Sequence, residues 1–121
     1  MLESLFKIII HHQRDQEISA DIQVEKDHTI YRGHFPDFAL TPGVVQMEMI
    51  RQVLGKAFEK EFRLKGSKSI KYPSMYRPSE KPEIQATLHY KQEGPLVKVD
   101  ARLHAGDEVF MKFKGEFVEG G

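Results

Sequence analysis

One stretch restricts the fold more than any other. From Val44 to about Lys60 the chain has no proline and a single glycine, Gly55. Thr41 is a suitable N-cap and Pro42 suits a first helical turn, so the spacing predicts a helix that starts there. Val44, Met47, Leu54 and Phe58 mark one apolar face, and Val45, Met49, Val53 and Ala57 add apolar surface on another side. A helix that is apolar over most of its girth must be buried. Its last turns turn charged at Lys56, Glu59, Lys60 and Glu61, so its C-terminal end is expected to reach solvent.

A single buried helix needs something to wrap it, and the rest of the chain supplies strands. Ile18, Ala20, Ile22 and Val24 alternate with polar residues, which reads as a half-buried strand. Leu5 to Ile10 reads as a strand or short helix before it, with Arg14 to Gln16 as a turn. Ser69 to Tyr72 reads as a short strand. Longer alternating runs follow: Ile84 to Tyr90, Val97 to Leu103 and Val109 to Phe117. Glu93-Gly94-Pro95 and Ala105-Gly106-Asp107 are turn sequences, so these strands are expected as sequential antiparallel hairpins. The fold class is therefore α+β, one long central helix against a curled antiparallel sheet, in a single domain over residues 1–121. Tyr31 to Gly43, with Gly33, Pro36 and Pro42, reads as a structured loop.

Charge and composition narrow the function. Lys plus Arg and Asp plus Glu are equal at 18 each. A nucleic-acid binder usually shows a basic excess, so that class is disfavoured. There is no cysteine, which excludes disulfides, thiolate metal sites and cysteine nucleophiles. The apolar N-terminal stretch is interrupted by Lys7 and is too short to span a membrane, so a cytoplasmic location is the default expectation.

Three residues carry chemistry. Glu48 lies in the second turn of the buried helix, among Val44, Val45, Met47, Met49 and Ile50. Burial there would raise its pKa, as a general acid at neutral pH requires. Arg51, three residues on, offers the opposite outcome: an ordinary ion pair that keeps Glu48 charged. His34 sits in the loop between Gly33 and Phe35-Pro36, where it can serve as a base near neutral pH or as a satisfied loop histidine. Gly43 stands at the helix N-terminus, where a free amide could stabilise an oxyanion, or where the loop simply packs tightly.

These residues form one string: Gly33-His34-Phe35-Pro36, Thr41-Pro42-Gly43-Val44, then Glu48 and Gln52. The string resembles the motif of the 3-hydroxyacyl-ACP dehydratases of the hydroxymyristoyl-ACP type, which have the hotdog fold. The resemblance implies a homodimer whose sheets join edge to edge, with His34 of one subunit facing Glu48 of the other. It implies a (3R)-hydroxyacyl substrate carried on the phosphopantetheine of acyl carrier protein, with no cofactor and no metal. His34 would remove the C2 proton, Glu48 would protonate the leaving hydroxyl, and the Gly43 amide would polarise the thioester carbonyl. Phe35 and Met47 would wall an acyl tunnel, and Gln52 stands where the family carries a glutamine. Met49, Ile50 and Arg51 are bulkier than the family's small residues at those places, which bears on acyl length and pathway.

Two further features lie outside this string. His11, His12, His28, His89 and His104 lack the spacing of a zinc motif and read as surface histidines. Residues 60–81 hold a local cationic excess; Arg63, Lys65, Lys68, Lys71 and Arg77 read either as a solvated loop or as a docking patch for the acidic carrier. The competing functions are a hotdog acyl thioesterase, which does not need the His34 string, and a non-catalytic carrier-binding subunit of a hotdog heterodimer.

Overall fold

The computed structural model of the chain describes residues 5–25 and 43–120. The chain runs β1 (Phe6–Arg14), β2 (Glu17–Val24), α1 (Gly43–Phe58), β3 (Phe62–Lys71), β4 (Glu83–Glu93), β5 (Leu96–Ala105) and β6 (Glu108–Glu119). The six strands make one sheet in the order β1-β2-β4-β5-β6-β3, with every neighbouring pair antiparallel. Among the described residues, one helix against a six-stranded antiparallel sheet is the α+β, hotdog-type arrangement expected from the sequence.

The hairpins form where the turn chemistry allows them. Gly94 and Gly106 take positive φ of 60° and 58° in the β4–β5 and β5–β6 turns, as tight hairpins demand. The β1–β2 turn uses Asp15 and Gln16 in the same left-handed region, at φ 54° and 63°. No glycine marks that turn, yet the two-residue loop fixes the register Arg14↔Glu17. Of the stretch Leu5 to Ile10, ambiguous by pattern, Phe6 to Ile10 belong to the strand β1 and Leu5 precedes it.

Alternation decides which face is buried. Ile18, Ala20, Ile22, Ile84, Ala86, Leu88, Val97, Val99, Ala101, Leu103, Met111, Phe113 and Phe117 all point inward onto the helix. The helix answers with Val45, Met49, Ile50, Val53 and Leu54. Val44 does not belong to that face: it is 76% exposed, so the sequence-derived stripe beginning at Val44 is rotated from the real one. The helix ends at Phe58. Glu59 follows in the left-handed conformation, and the Lys60 amide donates to the Gly55 carbonyl. That geometry closes a helix C-terminus. The Phe58 ring then packs edge-on against Phe62 and Tyr90, at centroid distances of 5.9 and 5.0 Å. Lys56 Nζ reaches across to the Ile8 carbonyl at 2.5 Å, tying the helix to β1.

β3 is the main departure from expectation. A short strand over Ser69 to Tyr72 was expected; the strand is ten residues long and starts at Phe62. Two register breaks, between Leu64 and Gly66 and between Ser67 and Ser69, erase the simple alternation. Nearly all of its residues are exposed because it is an edge strand, paired on one side with β6.

Candidate active site

Glu48 occupies one turn of α1 on the boundary between the buried face and solvent. Its side chain is 22% exposed. Two neighbours on the same helix hold it. Arg51 Nε donates to both carboxylate oxygens at 3.0 Å, and a second guanidinium nitrogen also donates to Oε1. Gln52 Nε2, one turn further on, donates to Oε1 at 3.0 Å. Residues three and four apart share a helix face, which is why the sequence places all three together.

The electrostatic result corrects one expectation. Burial pushes the Glu48 carboxyl up, but the hydrogen bonds from the Arg51 guanidinium outweigh it, with Gln52 and the Arg51 charge adding to them. The net effect holds Glu48 below the ordinary carboxylate value, not above it. Within the described subunit Glu48 is therefore an oriented anion and a hydrogen-bond acceptor. The Arg51 pairing that the sequence offered as an alternative is the one that forms. Arg51 also donates to the Phe62 carbonyl at 3.0 Å, so the carboxylate is tethered through one guanidinium to the start of β3.

Gly43 opens the helix. A Cβ built there would lie 2.6 Å from the Tyr72 hydroxyl, so the missing side chain is used by Tyr72, which lies against the helix N-terminus. Desolvation pushes the Tyr72 phenol up, keeping it protonated and a donor. No local pattern marks Tyr72 for this place, since it lies 29 residues downstream in a segment read as a short strand. Met47 is half-buried beside the core. His34 and Phe35 lie outside the described residues, as do Thr41 and Pro42.

The cationic set of residues 60–81 does not form one loop patch. Arg63, Lys65, Lys68 and Lys71 all sit on β3, while Arg77 lies beyond it and pairs with Glu80 at 3.8 Å. The outer face of the sheet extends the set, because β3 and β6 register Lys71 with Lys112, and β5 and β6 register Arg102 with Lys112. Lys68, Lys71, Arg102, Lys112 and Lys114 line a cavity of about 560 Å³ there, together with Asp100, which pairs with Lys114 at 3.8 Å.

The histidines among the described residues have side-chain partners on the sheet, and His28 lies outside those residues. His11 pairs with Asp21, His12 and His89 share Glu17, and His104 contacts the Thr87 hydroxyl. Among the described residues, no group of three His, Cys, Asp or Glu is placed to hold a metal ion. No helix among them is long and apolar enough to cross a membrane.

Comparison with known proteins bears on this geometry. A family model described as ApeI-like, ApeI dehydratase, matches residues 10–111. The 3-hydroxyacyl-[acyl-carrier-protein] dehydratase FabZ of Lactococcus lactis subsp. cremoris strain SK11 is 33% identical over 94 residues, 72% of this chain. The match spans 65% of that relative's length, just under two thirds. Among solved structures, the dehydratase heterocomplex ApeI:P from Xenorhabdus doucetiae superposes with a TM-score of 0.67 at 17% identity, covering 93% of this chain and 98% of the other. Cj0977, a sigma28-regulated virulence protein from Campylobacter jejuni, gives a TM-score of 0.69 at 12% identity, over 97% and 85% of the two chains. At these identities the structural matches speak for the fold.

Proposed function

Because the chain belongs to the ApeI-like dehydratase family, we propose that it removes water from a (3R)-hydroxyacyl thioester carried on acyl carrier protein, giving the trans-2-enoyl thioester. The observation that carries the reading is Glu48. A carboxylate at the family's sequence distance from His34 stands on α1 and is held by hydrogen bonds from Arg51 and Gln52. Catalytic groups need that kind of positioning by their neighbours.

The ionised state of Glu48 shapes the mechanism. An anion cannot donate the proton that the leaving hydroxyl requires. In the proposed cycle His34 takes the C2 proton and becomes an imidazolium. The C2 electron pair forms the C2–C3 double bond as the C3–O bond breaks. The imidazolium then returns the proton to the departing oxygen, which leaves as water, and neutral His34 is restored. Glu48 accepts a hydrogen bond from the substrate's C3 hydroxyl and offsets the imidazolium charge. The amide at the start of α1 polarises the thioester carbonyl, which acidifies C2. No resident cofactor or metal enters these steps. The site is completed by a second hotdog subunit, so that His34 of one chain meets Glu48 of the other. The setting is intracellular acyl-chain assembly, with acyl carrier protein as the partner that brings substrate.

A hotdog thioesterase is the competing reading, and the products separate the two. Incubation of the assembled protein with 3-hydroxyacyl thioesters of a small soluble thiol is expected to give conjugated enoyl absorbance without release of thiol. Thiol release with no enoyl product would overturn the dehydratase reading. Neither product, with carrier binding retained, would favour the non-catalytic subunit.

A further inference from the structure

We infer that the outer face of the sheet binds the diphosphate group of a soluble ligand, on a row of cations formed by Lys71, Lys112 and Arg102 across β3, β6 and β5. The inference stands apart from the dehydratase reading, because the row lies on the face of the sheet turned away from α1.

The strand registers build the row. Lys71 stands opposite Lys112, and Lys112 opposite Arg102. Met111 and Phe113 flank Lys112 and point into the core, as Ala101 and Leu103 do around Arg102. Side chains alternate along a strand, so both cations face outward, and Lys71 is exposed beside them. Neighbouring strands lie about 4.8 Å apart, so the row spans roughly 10 Å of backbone.

Like charges set directly opposite one another weaken a sheet. Elsewhere on this face the chain compensates them. Lys114 faces Asp100 and pairs with it at 3.8 Å. Lys98 and Lys91 oppose each other in register and share Glu93, at 3.1 and 3.5 Å. Lys71, Lys112 and Arg102 have no such acid: among the described residues none of them forms an ion pair or a side-chain hydrogen bond. The charge is felt nearby, since burial and then the Arg102 guanidinium hold His104 below its ordinary value. An anion seated on the row turns its repulsions into attractions.

The layout favours a diphosphate. A single phosphate reaches Lys112 and one neighbour, whereas linked phosphates engage the whole row. Arg102 can clamp one phosphate with its planar fork, Lys71 can take the other as a point charge, and Lys112 lies between them. The cations surround a cavity of about 560 Å³, which suits a soluble ligand better than a membrane surface. Lys68 lines that cavity and a second one of about 360 Å³, where Gly66 and Gly115 carry no side chain. That second cavity leaves room for an organic group attached to the diphosphate.

Isothermal titration calorimetry of the full chain tests this, with sodium pyrophosphate and ADP as probes, in magnesium-free buffer at about 0.1 M salt. Saturable binding is expected with Kd below about 1 mM. The tighter probe tells a free diphosphate from a nucleotide. Inorganic phosphate is expected to bind at least about tenfold more weakly than pyrophosphate. Lys112→Gln and Arg102→Gln should each weaken binding at least about tenfold. Lys91→Gln, which removes a cation of the same face already paired with Glu93, should leave it unchanged. Melting curves give a second reading. Without ligand Lys112→Gln should melt no lower than wild type, because it relieves a like-charge contact, and it should lose the rise that pyrophosphate gives wild type. Absence of saturable binding, equal binding of inorganic phosphate, an equal loss in Lys91→Gln, or a lower unliganded melting point for Lys112→Gln would overturn the inference. So would binding of an acidic carrier protein that depends on Lys112 while pyrophosphate does not bind, which would make the row a protein-docking surface. Heat and melting are read without turnover, so a protein that binds pyrophosphate yet forms no enoyl product would refute the dehydratase reading alone.

Discussion

Replacing Arg51 by Met tests the state assigned to Glu48. The substitution keeps a long apolar stem on the helix and removes the guanidinium. It deletes the donors to both Glu48 oxygens and the bond to the Phe62 carbonyl. Hydrogen bonds to charged groups contribute roughly 1.5–3 kcal/mol when shielded, whereas exposed ion pairs contribute about 0.2–1 kcal/mol. Arg51 is 34% exposed and Glu48 22%, so the pair lies between those limits. The expected loss at pH 7 is about 1–2 kcal/mol, or roughly 4–8 °C in melting temperature for a domain of this size. The pH dependence carries the sharper sign. Glu48 is held below its ordinary 4.5 mainly by the Arg51 hydrogen bonds. A carboxylate with a lowered folded pKa contributes stability above its unfolded value, and that contribution disappears as pH falls through the folded value. Without Arg51 only the Gln52 hydrogen bond is left to oppose the burial that disfavours ionisation. The gap between wild type and Arg51→Met should therefore be full near neutrality and shrink below about pH 4.5. Urea unfolding followed by circular dichroism, at matched protein concentration, measures both quantities. Equal stability at pH 7, or a gap that does not shrink in acid, would refute the assignment.

Two other expectations concern the frame. Gly115→Ala should destabilise the protein by about 1–3 kcal/mol, because its Cβ would lie 2.5 Å from the Gly66 carbonyl and from the Phe113 ring, whereas Gly66→Ala meets open space and should cost little; thermal melts of the pair show the contrast. Gln16→Gly should stabilise the β1–β2 turn by about 0.5–1 kcal/mol, since Gln16 holds φ at 63°; no gain in a urea titration would mean that the turn is unstrained.

The parts of the fold that were legible in the sequence are those governed by short-range repetition. Ile84 to Tyr90 and Val97 to Leu103 alternate cleanly, and both are strands with the expected face buried. The buried helix was legible from its composition, but its orientation was not. Val44 counts as apolar in any pattern, and only the packing shows that it faces outward while Gln46 is buried. β3 is not legible in the sequence because bulges break its alternation and its cations resemble those of a solvated loop. At the site, the i,i+3 spacing named Arg51 as a partner for Glu48, and that pair forms, whereas the Gln52 contact was not read from the spacing. Which of burial or pairing wins at Glu48 depends on distances that a sequence does not contain. Tyr72 reaches Gly43 through tertiary contact, and no local pattern announces it.

The most direct test of the central claim is kcat/KM for dehydration of a 3-hydroxyacyl thioester by the assembled protein, compared among wild type, His34→Ala and Glu48→Gln. The account expects each variant to lose at least about a hundredfold: His34→Ala removes the group that takes and returns the proton, and Glu48→Gln removes the charge that holds the C3 hydroxyl and offsets the imidazolium. Variants that turn over substrate as fast as wild type would contradict it, and would make His34 and Glu48 structural residues.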